Sequence, residues 1–309
     1  MSRSRSTATA WVQAGCVALL LASGLAQAGA VQPGPTTIGT LTVQRHGDHG
    51  RPVILIPGLT CGPWEWQSTI AQLEKNHVVY ALTLAGFDGV PAPTDSGNLY
   101  DRADASLLQL IRQDKIDKPV LVGHSIGGSL ALRFAGEHPE LVSGVMAVDG
   151  LPLFPGMDKV SDQQRAAIAT KMADKMAAQT PEQAKAYALT YMQKVGVIDP
   201  ALAARYALLT ERSDNQAAAK YAAADLAFDG RSLLKNAKMP IVEISPYYAA
   251  DFAAGPLVMS EQQKADYYSS LLANAPQAKV VSISPARHFV MLDQPAKFAK
   301  ALDDFIAGL

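Results

Sequence analysis

Val120-Leu121-Val122-Gly123-His124-Ser125-Ile126-Gly127-Gly128 is the stretch that decides how the rest of the chain is read. Its first three residues are aliphatic, as in a strand covered on both faces. Residues 126–137 have helical spacing. A Gly-x-Ser-x-Gly turn between a strand and a helix sets the serine on a strained corner with its hydroxyl exposed. Neighbouring backbone must approach that corner closely, so the flanking positions are small, here Gly123 and Gly127. The following helix aims its N-terminus at the same point and favours negative charge developing there. Without the strand before it and the helix after it, the same pattern is an ordinary glycine-rich turn.

Working outward, short apolar runs alternate with helical stretches. Strands are predicted at residues 52–57, 77–82, 120–122, 145–148, 240–244 and 279–283, with helices at 64–75, 98–113, 126–137, 260–272 and 295–306. Repeated alternation of this kind predicts an α/β fold with a doubly wound, mostly parallel sheet. Between residues 158 and 227 the strand signal stops, and four Ala-rich, Lys/Gln/Glu-rich segments follow at 161–176, 181–195, 200–212 and 215–228. Pro181 and Pro200 stand where a first helical turn tolerates proline. Strand signals resume afterwards, so these helices read as an insertion: core from 29–150 and 240–309, helical cap from 151–239.

A serine hydroxyl needs a base to become a nucleophile. Of the six histidines, His124 is inside the turn and is expected to point into the structure. His46, His49, His77 and His138 fall at element ends and read as solvated. His288 follows the last strand and precedes the last helix, which brings it to the sheet edge where Ser125 emerges. The chain order nucleophile, acid, histidine is then possible. Backbone N–H groups must hold an oxyanion. Ile126 offers one, and Leu59, in the Pro57-Gly58-Leu59-Thr60 loop after a strand, is the candidate for the second.

Ile54-Leu55-Ile56-Pro57-Gly58, Ala85-Gly86-Phe87, Gly123-His124-Ser125-Ile126-Gly127-Gly128 and His288-Phe289-Val290-Met291-Leu292-Asp293-Gln294-Pro295 together resemble the α/β-hydrolase superfamily, in its cap-bearing branch, from about residue 40 onward. Pro57 stands where that family usually has His. The resemblance implies a Ser-His-acid triad, and the acid is where this chain departs from it. The family usually carries an Asp just after the strand that follows the cap. Here that strand runs into Ser245-Pro246-Tyr247-Tyr248, and Asp251 comes about three residues late, in a loop longer than usual. Asp149, at the end of Val145-Met146-Ala147-Val148, is the other choice, because some members, among them the haloalkane dehalogenases, take their acid from that earlier strand. Either would orient His288 and stabilise its cation.

Composition bounds the rest. The 309 residues are 49% hydrophobic and 18% charged, ample for a large core. The net charge of -1 makes no electrostatic case for nucleic acid. Arg3 and Arg5, an apolar run from Cys16 to Ala22 and then Ala26-Gln27-Ala28 read as a cleaved secretory signal over residues 1–28. This predicts a periplasmic or secreted protein with no stable membrane insertion after cleavage. Residues 29–36 read as a flexible lead-in, and Cys61, then the sole cysteine, as a small packed side chain. His46-Gly47-Asp48-His49 resembles part of a metallo-hydrolase zinc motif, but Gln44 replaces a further His and no other cluster completes three ligands, so no metal and no cofactor is expected.

The expected chemistry is acyl transfer from a small or medium ester-like molecule. A roof of helices would exclude long polymers. Phe154, Met157, Tyr187, Tyr191 and Met192 are candidates for an apolar pocket wall or for packing between cap and core. The rivals are an amidase or aminopeptidase, which would need an acidic anchor such as Glu182 or Glu211, and a noncatalytic binding protein built on the same fold.

Overall fold

The computed structural model describes residues 34–94, 97–253 and 258–309. The expected signal segment lies outside the described residues. Eight strands form one sheet: β1 (Thr36–Ile38), β2 (Leu41–His46), β3 (Arg51–Ile56), β4 (His77–Leu84), β5 (Val120–His124), β6 (Gly144–Val148), β7 (Ile241–Pro246) and β8 (Lys279–Ile283). Their order is β1-β2-β4-β3-β5-β6-β7-β8. β1 and β2 pair antiparallel, as do β2 and β4; every other neighbour pair is parallel.

The helices are α1 (Gln67–Leu73), α2 (Leu99–Gln113), α3 (Ile126–Glu137), α4 (Asp162–Ala177), α5 (Pro181–Tyr191), α6 (Pro200–Thr210), α7 (Asn215–Ala227), α8 (Ala249–Phe252), α9 (Glu261–Leu271), α10 (Val290–Asp293) and α11 (Pro295–Ala307). Caps explain several starts. The Asn98 side chain accepts from the amides of Tyr100 and Asp101, while Ser161, Thr180 and Ser260 close capping boxes with Gln164, Gln183 and Gln263. Each such cap contributes about 1 kcal/mol.

The central strands are apolar throughout because both faces are covered. Ile54, Ile56, Leu121, Val145 and Ala147 join one core layer with α2, α3 and α9. Val53, Leu55, Val120, Val122, Met146 and Val148 join the other with α1 and α11. The alternation along each strand is the two-residue period of a pleated sheet.

α4 to α7 lie between β6 and β7, at almost the positions read from the sequence. α4 packs along α7, α7 reaches α2 and α3, and α5 packs with α6. Three expectations need correction. The lead-in expected over 29–36 gives way at Thr36 to a hairpin, β1–β2, over residues 36–46 where no strand was predicted. Gln44, Arg45 and His46 hide this strand because it is open on one side, and its burial weakens toward that end. The helix expected over 64–75 divides into a 3-10 turn, Pro63–Trp66, and α1. Asp251 sits in the short helix α8 instead of a loop. No helix among the described residues is long and apolar enough to cross a membrane.

Candidate active site

Ser125 stands between the end of β5 and the start of α3 with φ 53° and ψ −123°, a left-handed backbone for a residue with a side chain. Such a conformation costs on the order of 1–3 kcal/mol and persists only where the surroundings enforce it. Here the Ser125 amide donates to the Val148 carbonyl at 2.9 Å, and its own carbonyl accepts from the amides of Gly128 (2.8 Å) and Ser129 (3.0 Å). A Cβ on Gly127 would run into the carbonyls of Ile56 and Pro57, and one on Gly123 into the Gly127 backbone. The ends of β3 and β5 therefore meet at the serine only because both positions are glycine. The Ser125 hydroxyl has no hydrogen-bond partner among the described residues, and the residue lines a cavity.

His288 lies between β8 and α10, held by its amide on the Val195 carbonyl at 3.1 Å. Its Nδ1 is 2.5 Å from Asp149 Oδ2. A carboxylate only accepts, so Nδ1 carries the proton and Nε2 is left as the basic nitrogen. Asp149 follows β6 with φ 49°, and its amide bonds the Ile244 carbonyl at 3.0 Å. Its other oxygen accepts from the Tyr268 hydroxyl at 2.5 Å and lies 3.8 Å from Lys264 Nζ. Burial pushes the Asp149 carboxyl up, but the Lys264 charge and the bonds from His288 and Tyr268 outweigh it and hold the group well below the usual range. Burial and the neighbouring His124 push His288 below its usual value, against the pull of Asp149.

Asp251, the other candidate acid, is engaged elsewhere. Arg287 grips it with Nε at 2.8 Å and Nη2 at 2.7 Å. Of the two carboxylates, the structure brings only Asp149 to His288.

A second buried pair lies behind the serine. His124 Nδ1 is 3.0 Å from Glu65 Oε2, with both side chains almost completely enclosed. Glu65 Oε1 accepts from the Gly58 amide at 3.0 Å, and His124 Nε2 donates to the His288 carbonyl at 3.2 Å. Gly58 directly precedes Leu59, and Leu59 and Ile126 both line the cavity. As the first residue of α3, Ile126 has an amide with no intrahelical acceptor. Cys61 is fully buried; its thiol bonds the Leu59 carbonyl at 3.4 Å, and burial and Glu65 push it well up.

Sequence reading did not find Glu65, Tyr268 or Lys264. Lys264 and Tyr268 are four apart on α9, so they share a helix face, and that spacing was visible. Nothing local marks Glu65 as the partner of a histidine 59 positions away.

The cavity at Ser125 and His288 has a volume of about 620 Å³. Of the residues left open between pocket wall and packing, Phe154, Tyr187, Tyr191 and Met192 line it, with Met172 and Met176 added by α4. Met157 packs against the core instead. Glu182 and Glu211 both line the cavity, and Lys185, also in the wall, is 3.4 Å from Glu211. The segment 46–49 makes the β2–β3 turn, with His49 on Asp48 at 2.6 Å and His46 turned to Glu74 at 3.6 Å. Asp104, Glu137 and His138 come together away from that turn, but Arg133 pairs with Glu137 at 3.1 Å and already supplies positive charge.

A strained serine corner between strand and helix, a histidine after the last strand and a mostly parallel sheet flanked by helices define a class. The sequence profile of the alpha/beta hydrolase family matches residues 53–301. The chain belongs to that family. It is 29% identical over 131 residues to the pig 1-acylglycerol-3-phosphate O-acyltransferase ABHD5, a match covering 41% of this chain and 37% of that protein. The match thus spans little more than a third of that relative. Among solved structures, a bromoperoxidase from Bacillus anthracis superposes with a TM-score of 0.73 at 18% identity, covering 89% of this chain and 100% of its own. A thermophilic esterase from Thermogutta terrifontis gives 0.72 at 18%, covering 89% and 99%. At such identity these likenesses speak for the fold.

Proposed function

We propose that this protein is an exported serine hydrolase of small or medium carboxylic esters, with Ser125 as nucleophile, His288 as general base and Asp149 as the acid that orients it. The observation that carries this reading is the 2.5 Å bond from His288 Nδ1 to Asp149, made beside the same cavity into which Ser125 opens. His288 Nε2 takes the serine proton as Oγ attacks the ester carbonyl. The amides of Leu59 and Ile126 receive the oxyanion. His288 then protonates the leaving alcohol, and water, activated by the same nitrogen, releases the acid and restores Ser125. Residues 151–239 act as a cap. Their helices supply Met172, Met176, Tyr187 and Met192 to the cavity wall, which suits a compact substrate better than a polymer.

Export rests on the N-terminal sequence, and determining the N-terminus of the mature protein in the periplasm or medium tests it. Hydrolysis of p-nitrophenyl acyl esters of increasing chain length, beside Ser125→Ala, tests the chemistry. Turnover that disappears in the variant supports the reading, and the chain-length profile sizes the pocket. A folded protein that neither turns over these esters nor reacts with a fluorophosphonate overturns it in favour of a noncatalytic binding protein. Fluorophosphonate labelling with cleavage of aminoacyl amides only would make it an amidase.

A further inference from the structure

One face of α7 forms part of the cavity wall: Asn215, Ala218, Ala222 and Asp225 recur at helical spacing and all line it. The two alanines make a smooth surface, and the stripe ends in a carboxylate. Asp225 is only partly exposed, and the cavity is what it lines. Ser129 lies beside it, and burial pushes its carboxyl up to about 6, so it is ionised at neutral pH. Among the described residues no Lys, Arg or His lies within salt-bridge distance of it. A carboxylate half-enclosed by apolar wall and lacking a counter-ion is costly to keep, and a cation brought by a ligand offsets that cost.

Its place relative to the nucleophile is set by α3. Ser125 directly precedes that helix and Ser129 lies four residues on, a rise of about 6 Å. The charge of the remaining wall agrees in sign. Glu182 and Glu211 are acidic, Lys185 is drawn to Glu211, and among the described residues no arginine lines the cavity. A substrate carrying its own carboxylate meets repulsion here, and one carrying a cation meets attraction.

Resting on the ester-hydrolase reading above, we propose that Asp225 is a cation-binding subsite, and that the substrates are esters bearing an ammonium or similar positive group a few bonds from the scissile carbonyl. The test uses pairs of esters equal in shape and different in charge. On the acyl side these are 4-nitrophenyl 4-(trimethylammonio)butanoate and 4-nitrophenyl 5,5-dimethylhexanoate. On the alcohol side they are choline butyrate and 3,3-dimethylbutyl butyrate.

At pH 8 and low salt, at least one pair should favour the cation at least tenfold in kcat/KM, and Asp225→Asn should bring that ratio close to one. A wild type that hydrolyses the neutral esters with no cation preference on either side overturns the subsite and leaves the hydrolase reading standing. So does a preference that survives Asp225→Asn. Calorimetric binding of the same four esters to Ser125→Ala gives a readout independent of turnover. Cation-selective binding there, lost in the Ser125→Ala/Asp225→Asn double variant, supports the subsite even if the wild type hydrolyses none of them. Equal binding within each pair overturns it.

Discussion

Glu65 and His124, 59 residues apart in sequence, face each other at 3.0 Å with both side chains shut off from solvent. The pair ties together three segments that the proposed chemistry needs held in place. Glu65 holds the Gly58 amide beside Leu59, while His124 adjoins Ser125 and donates to the His288 carbonyl. That carbonyl can only accept, so His124 Nε2 carries a proton, and a further proton lies between Nδ1 and the Glu65 carboxyl.

Glu65→Ala leaves the Gly58 amide and His124 Nδ1 without partners in a dry site. Removing one side of a buried pair costs about 3–5 kcal/mol. Thermal denaturation should show that loss, and kcat on a p-nitrophenyl ester should fall at least tenfold. Glu65→Gln can still accept from Gly58 and donate to His124, so it should recover most of the stability and activity. If both variants matched the wild type in kcat, the pair would be packing alone.

Asp149→Asn should lower kcat/KM by about 10³–10⁴, since the imidazole loses the partner that fixes its tautomer and supports its cation. Asp251→Asn should change it less than twofold, because Asp251 is bound to Arg287. Steady-state kinetics on one ester decide between the two acids. A large loss at Asp251 with little at Asp149 would reverse the assignment.

The base must be neutral to accept a proton, so activity is lost as pH falls through the His288 pKa. Burial and His124 place that value below the ordinary 6.5. The acid limb of a kcat/KM profile should therefore lie below pH 6.5. A limb above pH 7 in the wild type would contradict this account of the site.

Asp225 should be a burden on the fold. A carboxyl raised from 3.8 to about 6 binds its proton more tightly when folded than when unfolded. It costs nothing below about pH 4, costs progressively more up to about pH 6, and above that carries its full penalty, on the order of 2–3 kcal/mol. Asp225→Asn should therefore raise the melting temperature at pH 8, with the gain shrinking toward pH 4. Denaturation at both pH values checks the sign, and a variant less stable at pH 8 would make Asp225 a structural acceptor.

Much of this protein could be read in the chain itself, because the deciding signals are local. A strand buried on both faces is a run of aliphatics, which made the central strands visible, and β8, half exposed at the sheet edge, still showed its β-branched Val280, Val281 and Ile283. A strained serine needs adjacent glycines, so Ser125 was marked by Gly123 and Gly127. The inserted helices showed themselves by spacing and by proline at their starts. The β1–β2 hairpin escaped because one open side lets polar residues alternate into it.

What only the tertiary structure decided are the relations between distant residues. Asp149 and Asp251 are equivalent as letters. Asp149 reaches His288 because β6 ends beside the β8–α10 loop, while Arg287 takes Asp251. Glu65 and Asp225 acquire meaning only from the partners and cavity that folding brings to them. Such pairings are set by through-space distance and exclusion of water, and neither leaves a periodic mark in sequence.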